Sequence, residues 1–279
     1  MDVHGECASD LYRHRRDEVA AQASGAGRSP ADIEYTAAEN ATWSAVLDAL
    51  IPRWRATGAR SVCAGVDALS LPRRRVPQLA EVTAALAPLT GFRFEAVPGL
   101  VDKVTFFGAL ADRRFLSTQY VRWEASPLYT PEPDVIHEVV GHAHVLTDPR
   151  LANLHVLAGQ ALTRVEASRS QQFVADVFWF SGEFGVVTEG GRWRAYGAGL
   201  LSSVGELDWF ADHARIRELD IAAMGTLPYD ITQYQPVLFG ARSLDEVLDV
   251  VGGFFAGCTD DSITALVSAS GGRHWKEAS

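Results

Sequence analysis

Apolar residues recur at Trp43, Val46, Leu47, Leu50 and Trp54, the i, i+3, i+4 spacing of a helix that buries one face. Thr36, followed three residues later by Glu39, predicts a capping box at its start. Pro52 predicts a kink or an early end. Leu79, Val82, Leu86 and Leu89 mark a second helix beginning near Pro77, and Leu244, Val247, Leu248 and Val251 mark a later one. Residues 92–97 alternate polar and apolar positions around Phe92, Phe94 and Val97, which predicts a short strand. Residues 133–187 read as two or three helices, broken at Thr147-Asp148-Pro149 and near Gly185. Residues 186–196 read as a hairpin turning at Gly190-Gly191. The pattern fades at both ends. Residues 20–31 are rich in Gly, Ser and Ala, so residues 1–34 are expected to form a flexible tail and residues 269–279 a mobile one. Residues 35–268 then form one domain, mainly α with a few short β-strands.

Composition narrows the function classes. The chain is 47% hydrophobic and 22% charged, within the globular range. No apolar run is long enough to cross a membrane, and the first residues lack the apolar stretch of a secretory signal, so a cytoplasmic protein without a membrane partner is expected. With 25 basic and 35 acidic residues the net charge is −10, the wrong sign for a nucleic-acid partner. The basic run Arg73-Arg74-Arg75 follows Leu71-Pro72 and reads as a solvated turn. The three cysteines, Cys7, Cys63 and Cys258, form neither a disulfide framework nor a CxxC site, as suits a reducing compartment.

The chemistry concentrates in Tyr129-Thr-Pro-Glu-Pro-Asp134 and His137-Glu-Val-Val-Gly-His142. Zinc proteases place two histidines four apart on one helix face, with the intervening Glu as base. Here the spacing is five. On an ideal α-helix that is ~500°, leaving the two side chains ~140° apart. The histidines therefore meet at one ion only where the helix is irregular, and Gly141 makes irregularity cheap. A third ligand must come from elsewhere. Glu183, a lone carboxylate in the aromatic run Phe178-Trp-Phe-Ser-Gly-Glu-Phe184, is the best candidate, because a buried carboxylate is costly unless paired or metal-bound. Two imidazoles and a carboxylate with open positions make the facial triad of non-haem Fe(II) oxygenases. The alternative is two ordinary helix histidines and a carboxylate that caps or pairs. His144 and His155 are expected to be surface or hydrogen-bonded residues rather than ligands.

These segments, together with Val76-Pro-Gln-Leu-Ala-Glu-Val82, Ser117-Thr-Gln-Tyr-Val-Arg122, Ala195-Tyr-Gly-Ala-Gly-Leu-Leu-Ser-Ser-Val-Gly-Glu206 and Tyr234-Gln-Pro236, resemble in order the catalytic domain of the pterin-dependent aromatic amino acid hydroxylases. The resemblance runs from about Tyr35 to Ala256. It implies that family's single-domain fold, Fe(II) held by His137, His142 and Glu183, tetrahydrobiopterin as electron donor and O₂ as co-substrate. It implies a free aromatic amino acid as partner, its carboxylate gripped by Arg122, its backbone end met by Thr130 and Ser202, with Glu206 on the Arg122 side or at the amino end, and its ring walled by Trp179, Phe184 and Ile231. Val101, Phe106, Ala175 and Phe178 fall at pterin contacts, and Glu138 at a carboxylate that orients pterin and water. Trp179 and Ile231 point to L-phenylalanine, giving L-tyrosine. Meta-hydroxylation of phenylalanine and hydroxylation of tryptophan are the alternatives, and a zinc hydrolase a remote one. Three positions depart from the family pattern: Phe178 replaces a common tyrosine, Gly182 a common valine, and His144 a proline. The tail lacks the tetramerising helix of the animal enzymes, so a monomer is expected.

Overall fold

A computed structural model describes residues 3–23, 32–130 and 132–270, with side chains from Asp10 onwards. The first helix, α1 (Val3–Gln22), corrects the expected flexible tail. It docks through Tyr12, Arg15, Arg16 and Val19, which share one face by i, i+3, i+4, i+7 spacing. Val19 is fully buried with Ile33 and Tyr120. The face was hard to read because most of its anchors are polar and find polar partners. The rest of the expected N-terminal tail, residues 24–31, lies outside the described residues, as does the expected C-terminal tail beyond Ser270.

Helix α2 (Ala37–Thr57) carries the expected capping box between Thr36 and Glu39 and buries Trp43, Val46, Leu47, Leu50 and Trp54. Pro52 does not end it; the helix runs five residues further. Helices α3 (Arg60–Leu69) and α4 (Leu79–Thr90) follow, the latter capped by Gln78 with Glu81. Strand β1 (Arg93–Ala96) leads through α5 (Lys103–Ala111) to β2 (Arg114–Ser117), and the two strands pair in parallel. A parallel pair needs a crossover between its strands, here α5.

The predicted break at Thr147-Asp148-Pro149 starts α6 (Pro149–Arg164), with Asp148 as its cap, and α7 (Ser168–Phe178) comes next. Strands β3 (Val186–Glu189) and β4 (Arg192–Ala195) form the predicted hairpin. Its two turn glycines both have positive φ, 59° and 73°, the requirement of a two-residue hairpin turn. After the short helix α8 (Ala198–Leu201) and α9 (Val204–His213) come β5 (Arg215–Glu218) and β6 (Val237–Ala241), completing a four-stranded sheet in the order β4-β3-β6-β5. The Leu244 stripe is helical to Gly257, and residues 260–269 form a closing helix. One large apolar cluster joins nearly all of these elements. No helix among the described residues is long and apolar enough to cross a membrane.

Candidate metal centre

The five-residue spacing of His137 and His142 is resolved by the backbone. Residues His137–Ala143 wind as a π-helix, whose i→i+5 bonding stacks residues five apart on successive turns. Gly141 permits it: a Cβ there would stand 2.7 Å from the Ala198 carbonyl oxygen, so only glycine lets this turn lie against α8. Glu183 ends a second π-helical turn, Trp179–Glu183, that continues α7. The ligand atoms of His137, His142 and Glu183 all lie within 4.8 Å of one another, the one such group of three among the described residues. His142 Nε2 is 3.0 Å and His137 Nε2 3.9 Å from the Glu183 carboxylate. All three side chains are at least four-fifths buried.

Burial pushes the His137 imidazole down to about 4. Burial works to raise Glu183, but the charge and hydrogen bond of His142 outweigh it and hold the carboxyl at about 2. His137 Nδ1 lies 2.8 Å from Ser202 Oγ, whose hydroxyl donates to the Gly199 carbonyl. The serine oxygen therefore accepts from Nδ1–H, which fixes the tautomer that leaves Nε2 free. Ser202, expected at a substrate's backbone end, is instead bonded to a ligand histidine.

Glu138 is buried beside the ligands, and burial raises its carboxyl well above the ordinary range, with the Glu183 charge adding to it. Around the centre stand aromatic walls. Trp179 stacks on Tyr229 (centroids 4.5 Å, 9° between planes) and meets Phe184 at 4.6 Å. Phe106, half-buried, meets Phe107 and Phe115 edge-on. Val101 and Ala175 are half-buried and Phe178 is buried. The ring of Phe178 occupies the space beside Gly182: a Cβ at residue 182 would stand 2.6 Å from it. The two departures from the family pattern are therefore one steric unit. Ile231 is corrected. It stands 68% exposed, because Asp230 bonds the backbone N and the hydroxyl of Thr232 in a tight turn that holds Ile231 outward. Tyr229, two residues earlier, is the residue of this loop that packs on Trp179.

Arg122 is buried, and its guanidinium donates from Nε and Nη2 to both oxygens of Asp134 at 3.0 and 2.7 Å. Asp134 also accepts from the backbone N of Arg122 and of His137. It thus ties the arginine to the start of the His137–Ala143 π-helix. The sequence marked Asp134 only as the end of a chemistry-bearing stretch, and the resemblance offered Glu206 as a partner beside Arg122. Glu206 instead accepts from the Gln235 backbone N at 3.1 Å, and burial lifts its carboxyl to about 7. Thr130 Oγ1 donates to the Glu132 carbonyl at 2.6 Å. The loop carrying Arg122, Thr130 and Asp134 is held by α1: Tyr12 stacks on Trp123 at 6.5 Å, and Arg16 pairs with Glu132 at 2.7 Å.

A family profile described as biopterin-dependent aromatic amino acid hydroxylase matches residues 2–259. The chain is 43% identical over 271 residues to a phenylalanine 3-hydroxylase of Streptomyces coeruleorubidus, covering 96% of each. It is 34% identical to the phenylalanine-4-hydroxylase of Bos taurus over 88% of this chain, and spans about half the length (56%) of that relative. Among solved structures it resembles the phenylalanine hydroxylase of Colwellia psychrerythraea at TM-score 0.80 and 28% identity, covering 89% of this chain and 94% of that one. It also resembles that of Chromobacterium violaceum, solved with iron(III) and 7,8-dihydrobiopterin, at TM-score 0.78 and 26% identity over 88% of each chain.

Proposed function

The chain belongs to the biopterin-dependent aromatic amino acid hydroxylase family, and from that membership we propose that it hydroxylates free L-phenylalanine, and does so at ring position 3. The single observation that carries the chemistry is the convergence of His137, His142 and Glu183 within 4.8 Å. Two imidazoles and one carboxylate, with the His137 tautomer fixed by Ser202, fit a ferrous ion with open coordination positions. Iron bound there, with reduced pterin, supplies the two-electron activation of O₂ that ring hydroxylation needs.

The protein's own residues orient and enclose. Arg122 spends Nε and Nη2 on Asp134, and Nη1 has only a 3.5 Å contact to the Pro127 carbonyl, so that edge serves the substrate carboxylate. Thr130 and Glu206 serve its amino end. Trp179, backed by Tyr229 and flanked by Phe184, walls the aromatic ring and keeps water from it. Phe106, Val101, Ala175 and Phe178 form the pterin side, and Glu138, whose carboxyl burial raises, orients pterin and water there. Position 3 is supported by the 43% identity, over 96% of the chain, to a 3-hydroxylase. Iron-loaded protein with tetrahydrobiopterin and O₂ is expected to convert phenylalanine to 3-hydroxyphenylalanine, identified by chromatography against the three ring isomers. A product of 4-hydroxyphenylalanine overturns the position, and inertness toward phenylalanine overturns the substrate.

Because α1 braces the loop that carries Arg122 and Thr130, Arg16→Ala is expected to raise KM for the amino acid several-fold. Half-exposed ion pairs are worth about 1 kcal/mol or less, which limits the effect to about fivefold. Iron content should not change. Steady-state kinetics beside metal analysis check both.

A further inference from the structure

A metal-bound imidazole almost always donates its second ring N–H to an acceptor that fixes the ring. For His137 that acceptor is Ser202 Oγ. His142 presents Nε2 to Glu183 at 3.0 Å, so on a metal its Nδ1 carries the hydrogen. That Nδ1 is buried and has no hydrogen-bond partner among the described residues. One helix away, on α6, His155 is fully buried, and its Nδ1 lies 2.8 Å from the Leu151 carbonyl. A carbonyl only accepts, so His155 Nδ1 carries the hydrogen and Nε2 is a bare acceptor. His155 Nε2 is likewise buried and unpartnered among the described residues. The two rings meet edge to face, centroids 6.0 Å apart. Phe115 lies 4.4 Å from the His142 ring and Phe178 lies 5.2 Å from His155, and neither phenylalanine accepts an ordinary hydrogen bond. One orphaned donor and one orphaned acceptor thus share an aromatic enclosure.

We propose that His155 is a positioning residue of the metal centre: its Nε2 accepts the Nδ1–H of His142 through one buried water and holds that ligand's ring on the metal. The proposal rests on the metal reading of the triad. It also accounts for a histidine in a place where its side chain otherwise buries an unpaired nitrogen at a cost.

The test separates positioning from packing. His155→Leu removes the acceptor while keeping bulk, and His155→Gln keeps an acceptor. Fe(II) and Co(II) affinities of the wild-type protein and both variants are measured by chelator competition, and apoprotein melting temperatures are recorded alongside. His155→Leu is expected to weaken both metals about 10- to 100-fold, with no loss of apoprotein melting temperature, since the leucine relieves an unpaired buried nitrogen. His155→Gln is expected to recover most of the affinity. Wild-type affinity in His155→Leu overturns the proposal. So does a loss of affinity that follows a matching loss of apoprotein stability and is not recovered by glutamine, which assigns His155 to packing. Failure of the wild-type protein to bind either metal overturns the metal reading itself.

Discussion

Glu183→Ala is expected to yield a folded protein that holds no iron after reconstitution and dialysis. With the carboxylate gone, His137 and His142 offer only two imidazole nitrogens, and a hard ferrous ion binds poorly without an oxygen ligand. The loss should exceed the roughly 10–100-fold that removal of an outer partner costs, and ring hydroxylation should fall to background with it. The fold should survive, because Glu183 ends a π-helical turn whose walls are Phe180, Ser181 and Gly182, all buried, and because the neutral state of His137 does not depend on the carboxylate. Burial is the main force pushing that imidazole down, the charges of His142 and Arg122 add to it, and Glu183 opposes it, so the alanine variant keeps His137 neutral. Metal analysis of the variant against the wild-type protein, with circular dichroism to confirm folding, checks the assignment. Full metal occupancy in the variant sinks the ligand set.

The same residues show how far the sequence could be read and where it stopped. His137, His142 and Glu183 were legible as ligand chemistry, since imidazole and carboxylate types stood in an apolar context. The geometry joining them was not. A five-residue spacing is wrong for an α-helix, and nothing in the composition of His137–Ala143 announces a π-helix; Gly141 hinted at irregularity without saying which kind. The reason lies in tertiary packing, where the Ala198 carbonyl sits against the only residue type that fits. Helices with one apolar face were readable for the same reason that α1 was not. Trp43 through Trp54 bury hydrocarbon, whereas α1 docks with Tyr12, Arg15 and Arg16 onto Trp123, Glu39 and Glu132, contacts that span more than 100 residues of chain in two cases. Ile231 failed at shorter range. Its apolar side chain suggested a pocket wall, and a two-residue Asx turn at Asp230 put it outside. His155, expected as a surface or hydrogen-bonded histidine, is fully buried and bonds the carbonyl four residues back, yet no local pattern could place its ring edge to face with that of His142.

Asp134→Ala is expected to damage stability and substrate binding together, because one carboxylate serves both. Asp134 is fully buried, and its partner Arg122 is 5% exposed. Removing one partner of a buried pair leaves an uncompensated charge and costs about 3–5 kcal/mol. The variant also loses the acceptor for the His137 backbone N at the start of the metal-binding helix, a cap worth about 1 kcal/mol. For a chain of this size the sum lowers the melting temperature on the order of 10 °C. Freed from Asp134, the guanidinium no longer presents a fixed edge, so KM for the amino acid should rise as well. Arg122→Ala separates the two effects at the substrate. It removes the donor outright, and loss of a charge-assisted contact worth about 1.5–3 kcal/mol should raise KM about 10- to 100-fold while iron stays bound. Asp134→Asn keeps the cap and the shape but not the charge, so its melting temperature should fall less than that of Asp134→Ala while its KM still rises. Thermal melts and steady-state kinetics on the three variants give the answer. An Asp134→Ala protein melting within about 2 °C of wild type would mean that Arg122 does not depend on Asp134 for its burial, and the link between substrate grip and metal helix would have to be abandoned.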